Sequence, residues 1–251
     1  HAASAFYPSP YDDAAILTLD GVGEWATASI GHGQGNKLSI LKELKFPHSL
    51  GLLYSAFTYF LGFKVNSGEY KLMGLAPYGR HASPEVEQYK KLIREVLVDI
   101  KSDGSIWLNQ EYFNYATGLR MVHDAKWEQL FGFPTRESES ILEQKHCDLG
   151  LAIQEITEEI VILMAQEAKR LTGSKACVLA GGVALNCVAN GKLKEAGIFE
   201  SIFIQPAAGD AGGALGAALA AHYIYFDQER VVDTTSMDAM SGSYLGPSYS
   251  D

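Results

Sequence analysis

The fold is decided by the segment Cys177-Val178-Leu179-Ala180-Gly181-Gly182-Val183-Ala184-Leu185-Asn186. Its apolar run ends in a glycine pair and continues into a helical pattern, which predicts a buried strand, a tight turn and a helix N-terminus. Because Gly181 and Gly182 lack a Cβ atom, backbone N–H groups at this turn can lie against a flat or anionic ligand. A lone glycine pair more often marks only the end of a buried strand, but glycine-flanked acidic turns at Asp20 and Asp210 favour a ligand site.

Composition is that of an ordinary globular protein with room for one large domain or two lobes. The chain has 251 residues, of which 47% are apolar and 20% are charged. The net charge of −10 argues against tight, sequence-independent binding of nucleic acid, which needs clustered Lys and Arg. A small phosphorylated ligand remains compatible with this balance.

Cysteine usage predicts a reducing, cytoplasmic environment, because Cys147, Cys177 and Cys187 are odd in number and form no Cys-x-x-Cys pair. No apolar run approaches the ~18 residues of a transmembrane helix, so we expect no membrane association. The first residues also lack a signal-peptide pattern. The sequence begins at His1 without an initiator Met, so we expect a fragment or an excised domain.

The first half predicts an antiparallel meander of three strands joined by tight turns. A helix ends within residues 1–7, and the strands are expected at 14–19, 24–32 and 36–46. A turn that contains Gly31, Gly33 and Gly35 is expected between the second and third strands.

The middle of the chain predicts a buried helix at 49–63 and a polar, irregular segment at 64–78. Residues 84–135 are interpreted as a largely helical insert. Within it, helices are expected at 84–100 and 126–130, with a short strand at 105–109.

The second half alternates helices and strands, which predicts parallel pairing with right-handed crossovers. Helices are expected at 148–172, 185–196 and 212–225, with strands at 176–179 and 201–205. A meander followed by such units is the order of one lobe of the actin-like ATPase (ribonuclease-H-like) fold. The predicted fold is therefore α/β, with a mixed sheet flanked by helices and a helical insert.

Asp20 and Asp210 are the candidate acidic ligands. Asp20 follows a buried strand and precedes Gly21 and Gly23, so its carboxylate can hold a cation or orient water, or it can simply cap its own turn. Asp210 begins a helix as an ordinary N-cap, an arrangement worth ~1 kcal/mol. The glycines after Asp210 exceed what a cap needs and indicate close packing against a ligand or another helix.

Two further pairs of residues allow two interpretations each, and His1 by itself favours one. Glu69 and Lys71 can contact ribose hydroxyls and phosphate, or they can form a solvated ion pair on a surface turn. Asn186 and Asn190 share one helix face and can bind a nucleotide or lie at a polar surface. His1 by itself is more consistent with a histidine that binds nothing.

Five segments together carry a resemblance to a known family. They are HAASAFY (1–7), LTLDGVGEW (17–25), GEYKLMGLAPYG (68–79), LAGGVALN (179–186) and PAAGDAGGALG (206–216). In this order they resemble the O-carbamoyltransferases of the nodulation-factor and antibiotic-tailoring type, which are related to the tRNA threonylcarbamoyl transferases and the hydrogenase-maturation carbamoyltransferases. The match extends over nearly the whole chain.

The resemblance implies an ATP-dependent reaction. Carbamoyl phosphate and ATP give carbamoyl adenylate, and the carbamoyl group then moves to a hydroxyl of a small natural product or sugar. It also implies that residues 1–251 are the second lobe of the N-terminal catalytic domain. The first lobe and a C-terminal adenylate-forming domain would lie outside this sequence.

The resemblance further implies a metal, typically iron, held by a His-x-x-x-His motif and two aspartates. His1 matches the second histidine, Asp20 and Asp210 match the aspartates, and the first histidine would lie upstream. A mixed imidazole and carboxylate set suits iron, manganese or zinc. With one histidine absent, we expect weak metal binding and little turnover by these 251 residues alone.

The implied nucleotide site consists of two glycine turns and an amide side chain. Gly181, Gly182 and Asn186 would line the adenosine pocket, while Gly21 and Gly23 would let the backbone approach phosphate. No general base is assigned, because nothing in the sequence places His32 or His48. Acceptor contacts are expected from the insert at 84–135 and from the lobe outside the sequence.

Two other functions fit the same fold. A sugar kinase or hydrolysing ATPase would use Asp20 as a base or to position water, with magnesium from the nucleotide. A non-catalytic nucleotide- or partner-binding module would not depend on Asp20 or Asp210.

Overall fold

A computed structural model describes residues 1–232 and 238–249. The strands are β1 (Asp13–Leu19), β2 (Ala26–Gln34), β3 (Lys37–Lys45), β4 (Val98–Ile100), β5 (Ile106–Leu108), β6 (Ala176–Ala180) and β7 (Ser201–Ile204). The α-helices are α1 (Ala2–Phe6), α2 (Leu50–Phe60), α3 (Glu69–Leu75), α4 (Pro84–Leu92), α5 (Asp124–Phe131), α6 (Gln144–Thr172), α7 (Cys187–Glu195) and α8 (Ala211–Ala220).

The main sheet has five strands in the order β3-β2-β1-β6-β7. β1, β2 and β3 pair antiparallel, while β6 lies parallel to both β1 and β7. This arrangement confirms the predicted meander followed by parallel units, and with them the mixed α/β actin-like lobe.

Helices cover both faces of this sheet. Neighbouring residues of each central strand point to opposite sides, and the apolar side chains on each side pack in a separate core. Ile16 pairs with Val178, and both belong to the core beneath α1 and α8. Leu17 pairs with Leu179, and both belong to the larger core that contains α2 and α6. All four side chains are fully buried, so β1 and β6 lie between the two cores at the centre of the sheet.

The prediction that Gly31 and Gly33 lie in a turn is wrong, since both residues are inside β2. A Cβ atom at Gly33 would lie 2.5 Å from the ring of Phe6, and one at Gly31 would lie 2.9 Å from the Ser39 carbonyl oxygen. These glycines therefore let other groups pack against the strand. Only Gly35, with a φ of +56°, serves the turn itself.

The segment 64–78, predicted to be irregular, contains α3 and a short 3₁₀ helix at Ala76–Tyr78. Gly68 and Gly74 obscure the helical pattern, but Leu72 and Leu75 are buried and anchor α3 to the core.

The insert at 84–135 is less helical than predicted. After α4, a π-helical turn at Ile93–Leu97 leads into an antiparallel hairpin of β4 and β5. The fully buried Trp127 of α5 stacks edge-on against Phe57 of α2, so the insert shares the main core.

Among the helices in the described part of the chain, none combines the length and apolar character needed to cross a bilayer.

Candidate metal and nucleotide site

The site lies at one edge of the sheet because β1, β6 and β7 run parallel to one another. Their carboxyl ends meet at this edge, which is where ligands bind in open α/β sheets. Asp20 follows β1, the Gly181-Gly182 turn follows β6, and the loop after β7 leads to Asp210 at the start of α8.

Three predicted metal ligands converge there. Nε2 of His1 lies 2.8 Å from Oδ2 of Asp20 and 4.0 Å from Oδ1 of Asp210. One ligand atom from each residue falls within 4.8 Å of the other two. Residues far apart in the sequence thus form one cluster of an imidazole and two carboxylates.

Asp20 is held in a fixed orientation. Its Oδ1 accepts hydrogen bonds from the N–H groups of Gly21 (2.8 Å) and Gly182 (3.3 Å), while Oδ2 faces His1. Burial pushes the pKa of Asp20 upward, but the hydrogen bonds from His1 and the two glycines outweigh it, and the pKa lies below its ordinary value. The side chain is therefore a preorganised carboxylate at neutral pH.

His1 is the N-cap residue of α1, and its imidazole is mostly buried. The hydrogen bond to Asp20 raises its pKa against the opposing effect of burial. Its Nδ1 is buried and has no hydrogen-bond partner among the described residues. Since buried polar atoms nearly always have a partner, this nitrogen calls for a bound ion, a water molecule or another part of the protein.

The cluster fits a divalent metal. Ligand atoms that each lie ~2.1 Å from one ion are at most ~4.2 Å apart, and His1 meets this limit with both aspartates. The Asp210 side chain is 99% exposed, so it can rotate to complete the set.

A cavity of about 680 Å³ opens beside the cluster, a size within the range of small-molecule sites. Its lining residues are Asp20, Gly21, Val22, Gly51, Leu52, Tyr54, Ser55, Asn66, Ser67, Glu69, Tyr70, Met73, Gly182, Val183, Leu185, Asn186, Gly209 and Asp210. These include three carboxylates, and no Lys or Arg is among the described residues that line it.

Of the four glycines predicted to bind the nucleotide, two line the cavity and two do not. Gly21 and Gly182 line the cavity, whereas Gly181 and Gly23 do not. Gly181 has a φ of +93°, and a Cβ atom there would lie 2.2 Å from the Leu19 carbonyl oxygen, so it shapes the turn. Gly23 donates its N–H to the Ala26 carbonyl at the start of β2.

Glu69 lines the cavity, but Lys71 is exposed and lies outside the lining. Oε1 of Glu69 accepts hydrogen bonds from Ser55 Oγ (2.8 Å) and the Asn66 N–H (3.0 Å), and Oε2 accepts one from the Gly68 N–H (3.1 Å). The carboxylate therefore has a fixed position on the wall of the cavity.

The Asn186 side chain also lines the cavity, and most of its hydrogen-bonding capacity is used within the protein. Its Oδ1 caps α7 through the Ala189 N–H, and its amide forms a reciprocal pair with Gln154 (2.9 and 3.1 Å). Gln154 Oε1 also accepts a hydrogen bond from the hydroxyl of Tyr54 (2.9 Å), whose pKa burial raises strongly.

Sequence reasoning missed Gln154 and Tyr54. Both residues lie in strongly apolar helical patterns. The available signal in the sequence was Gln154, a polar residue within the apolar pattern of α6.

The other two histidines considered as bases lie elsewhere. His32 Nε2 contacts Asp13 at 2.8 Å, and His48 Nδ1 accepts the Leu108 N–H at 3.0 Å. Neither residue lines the cavity.

The sheet order and this ligand edge define the class, a lobe of the actin-like (ribonuclease-H-like) fold. The family model for the carbamoyltransferase N-terminus matches residues 1–219, and the chain belongs to this family.

Curated relatives extend this comparison. An uncharacterized protein of Synechocystis is 56% identical over the whole chain, which covers 39% of that protein. Nodulation protein NolNO of Sinorhizobium fredii is 39% identical over 87% of this chain and 29% of its own length. Nodulation protein NolO of Bradyrhizobium diazoefficiens is 35% identical over 87% of this chain and 36% of its own length. The chain thus spans well under half the length of these relatives.

Proposed function

We propose that this chain is the metal- and nucleotide-binding lobe of an ATP-dependent carbamoyltransferase. The complete protein would use carbamoyl phosphate and ATP to form carbamoyl adenylate, and transfer the carbamoyl group to a hydroxyl of a small natural product or sugar. With water included, the products are the carbamate ester, AMP, pyrophosphate and phosphate. Family membership supports carbamoyl transfer. The position of the cavity at the carboxyl ends of the parallel strands supports ATP and carbamoyl phosphate as the substrates bound there.

The observation that carries the proposal is the convergence of His1, Asp20 and Asp210 at the mouth of a nucleotide-sized cavity. These three residues would hold Fe²⁺ or a similar divalent ion, since mixed nitrogen and oxygen ligands suit that group of metals. Such an ion supplies Lewis acidity toward a carbonyl or phosphoryl oxygen.

The protein groups around the ion have separate roles. Gly21 and Gly182 use their N–H groups to orient Asp20, which keeps one carboxylate oxygen toward His1. Because the described lining has three carboxylates and no cationic side chain, we propose that the metal supplies the positive charge that a phosphate needs there.

The rest of the cavity would hold the nucleoside. Glu69 would accept hydrogen bonds from ribose hydroxyls, and Asn186 would contact the adenosine through its remaining amide hydrogen. Lys71, directed to solvent, would contribute only if another part of the protein closed over it. The acceptor would bind against the insert at 84–135 and the remainder of the protein.

The test uses the full-length protein, supplied with ATP, carbamoyl phosphate and a sugar hydroxyl as acceptor. We expect AMP and pyrophosphate to form only when carbamoyl phosphate is present. Asp20→Asn should lower this rate by at least about 100-fold, because removing a properly placed charge from a catalytic centre costs several kcal/mol. It should also abolish Mn²⁺ binding measured by calorimetry.

Gly191→Ala, on the exposed face of α7, is the matched control and should retain both properties. ADP formation independent of carbamoyl phosphate would instead indicate a kinase or an ATPase. Unchanged activity in both Asp20→Asn and Asp210→Asn would indicate a non-catalytic module.

A further inference from the structure

One buried amide joins the two segments that carry His1 and Asp210. Gln205 follows β7 directly, is fully buried, and donates its backbone N–H to the Leu179 carbonyl at 3.0 Å. Its side-chain Nε2 donates to the Ser4 carbonyl of α1, while Oε1 accepts the Ala207 N–H at 3.1 Å. Both ends of the side chain are therefore bonded to backbone.

Each of these bonds leads toward a proposed metal ligand. Ser4 is one helical turn from His1 and donates its Oγ to the His1 carbonyl at 2.7 Å. Ala207 lies in the short turn 206–210, which ends at Asp210. The side-chain hydrogen bonds of Gln205 therefore connect α1 to this turn.

Close packing also limits how near α1 can come to α8, the helix that follows this turn. A Cβ atom on Gly216 of α8 would lie 3.0 Å from both the backbone nitrogen and the Cβ of Ser4. Contact at Gly216 thus sets how near α1 and α8 can come, and the Gln205 bonds tie α1 to the turn that leads into α8.

We infer that Gln205 is a positioning residue that holds His1 and Asp210 at metal-binding distance. The inference rests on the proposed metal centre. Gln205 itself touches no ion, and it acts by fixing the backbone that carries two of the ligands. Groups that orient metal ligands without binding the metal typically change affinity about 10–100-fold when removed.

α1 has a separate anchor at its other end, so the loss of Gln205 does not release the whole helix. The buried guanidinium of Arg230 donates to the Phe6 and Ser9 carbonyls at 3.0 Å and lies 4.3 Å from the centre of the Phe6 ring. Without Gln205, we expect the His1 end of α1 to become mobile while the Phe6 end stays packed.

The test measures Mn²⁺ affinity of the full-length protein by titration calorimetry, with thermal unfolding in EDTA recorded separately. Gln205→Met should raise the Kd for Mn²⁺ at least about tenfold at a temperature where it is fully folded. The control Thr157→Val removes a buried hydroxyl that bonds only within α6, and its Kd should match the wild type. Gln205→Glu keeps an acceptor for Ala207 but loses the donor to Ser4, and it should also bind Mn²⁺ more weakly.

An unchanged Kd in a folded Gln205 variant overturns the inference, whatever happens to the thermal midpoint. If Gln205→Met does not fold, Gln205→Glu decides. If neither folds, Gln205 determines the fold and not the ligand spacing, which also overturns it. Absence of Mn²⁺ binding in the wild type would instead reject the metal centre of the proposed function.

Discussion

Gly181 shows how one residue can help to orient a carboxylate at the edge of the sheet where β1 and β6 end. Its positive φ of +93° turns the chain at the end of β6, and its α-carbon lies so close to Leu19 that no side chain fits. The next residue, Gly182, can then direct its N–H to Asp20. The backbone geometry of this turn therefore sets the orientation of Asp20.

Gly181→Ala should lower the free energy of unfolding by about 2 kcal/mol or more, because it combines an unfavourable φ with a backbone clash. Gly191→Ala is the control, since its Cβ atom would meet nothing within 4 Å and it lies inside α7. That change should add about 0.5–1 kcal/mol. Urea unfolding of both variants measures the difference, and equal stabilities would contradict this account.

At the scale of elements, α6 connects the core to the cavity. This helix of 29 residues packs in the main core and carries Gln154, which is bonded to Tyr54 and Asn186. Its partners come from α2 and from the start of α7, so three helices meet at one amide.

Gln154→Leu should lower the free energy of unfolding by about 2–4 kcal/mol, because the buried Tyr54 hydroxyl and the Asn186 amide nitrogen each lose the acceptor to which they donate. Thr157→Val, one turn further along α6, should cost less than about 1 kcal/mol, since its hydroxyl bonds only the Ile153 carbonyl. Chemical denaturation provides the measurement. A Gln154→Leu variant as stable as Thr157→Val would show that this network contributes little.

Elements with strong periodicity or β-branched runs were predictable from the sequence, and the positions of isolated glycines were not. The strand before Asp20 and the strand before Gly181 are continuous apolar runs, so both strands were predicted. Their parallel pairing with each other depends on contacts across the chain and was not predicted. Gly33 was misassigned because its role depends on Phe6, a contact between residues far apart in the chain. The amide partners of Asn186 and Ser4 escaped prediction for the same reason, because Gln154 and Gln205 bond to residues far away in the chain.

At the scale of the whole molecule, one group of charges joins three regions. Lys42 of β3 contacts Asp103 in the β4–β5 turn (2.9 Å) and Glu167 of α6 (2.7 Å). Hydrogen bonds from Arg170 and Lys42 lower the pKa of Glu167 to about 2. Bonds from Ser105 and Lys42 lower the pKa of Asp103 to about 2 as well.

Acid should weaken the fold through this group. Since both pKa values are lowered by folding, the stability they add is complete above the ordinary pKa values of 3.8–4.5 and is lost as the pH falls toward about 2. Glu167→Gln should be less stable than the wild type near pH ~6 and approach it near pH ~2.

The control for that experiment is Glu195→Gln, which alters an exposed pair with Lys192. Exposed pairs contribute at most ~1 kcal/mol, so its stability curve should follow the wild type at every pH. The measurement is the urea midpoint as a function of pH. A constant difference between Glu167→Gln and the wild type down to pH ~2 would refute the role assigned to this group.

The order of the strands has a consequence for synthesis. Of the sheet strands in the described residues, β7 is the last in chain order and Asp210 follows it, whereas His1 and Asp20 are translated before it. A nascent chain therefore exposes an incomplete cluster until residue 210 has left the ribosome and β7 has docked beside β6. Binding of the proposed metal ion by all three side chains would therefore follow the docking of β7 and the completion of the sheet.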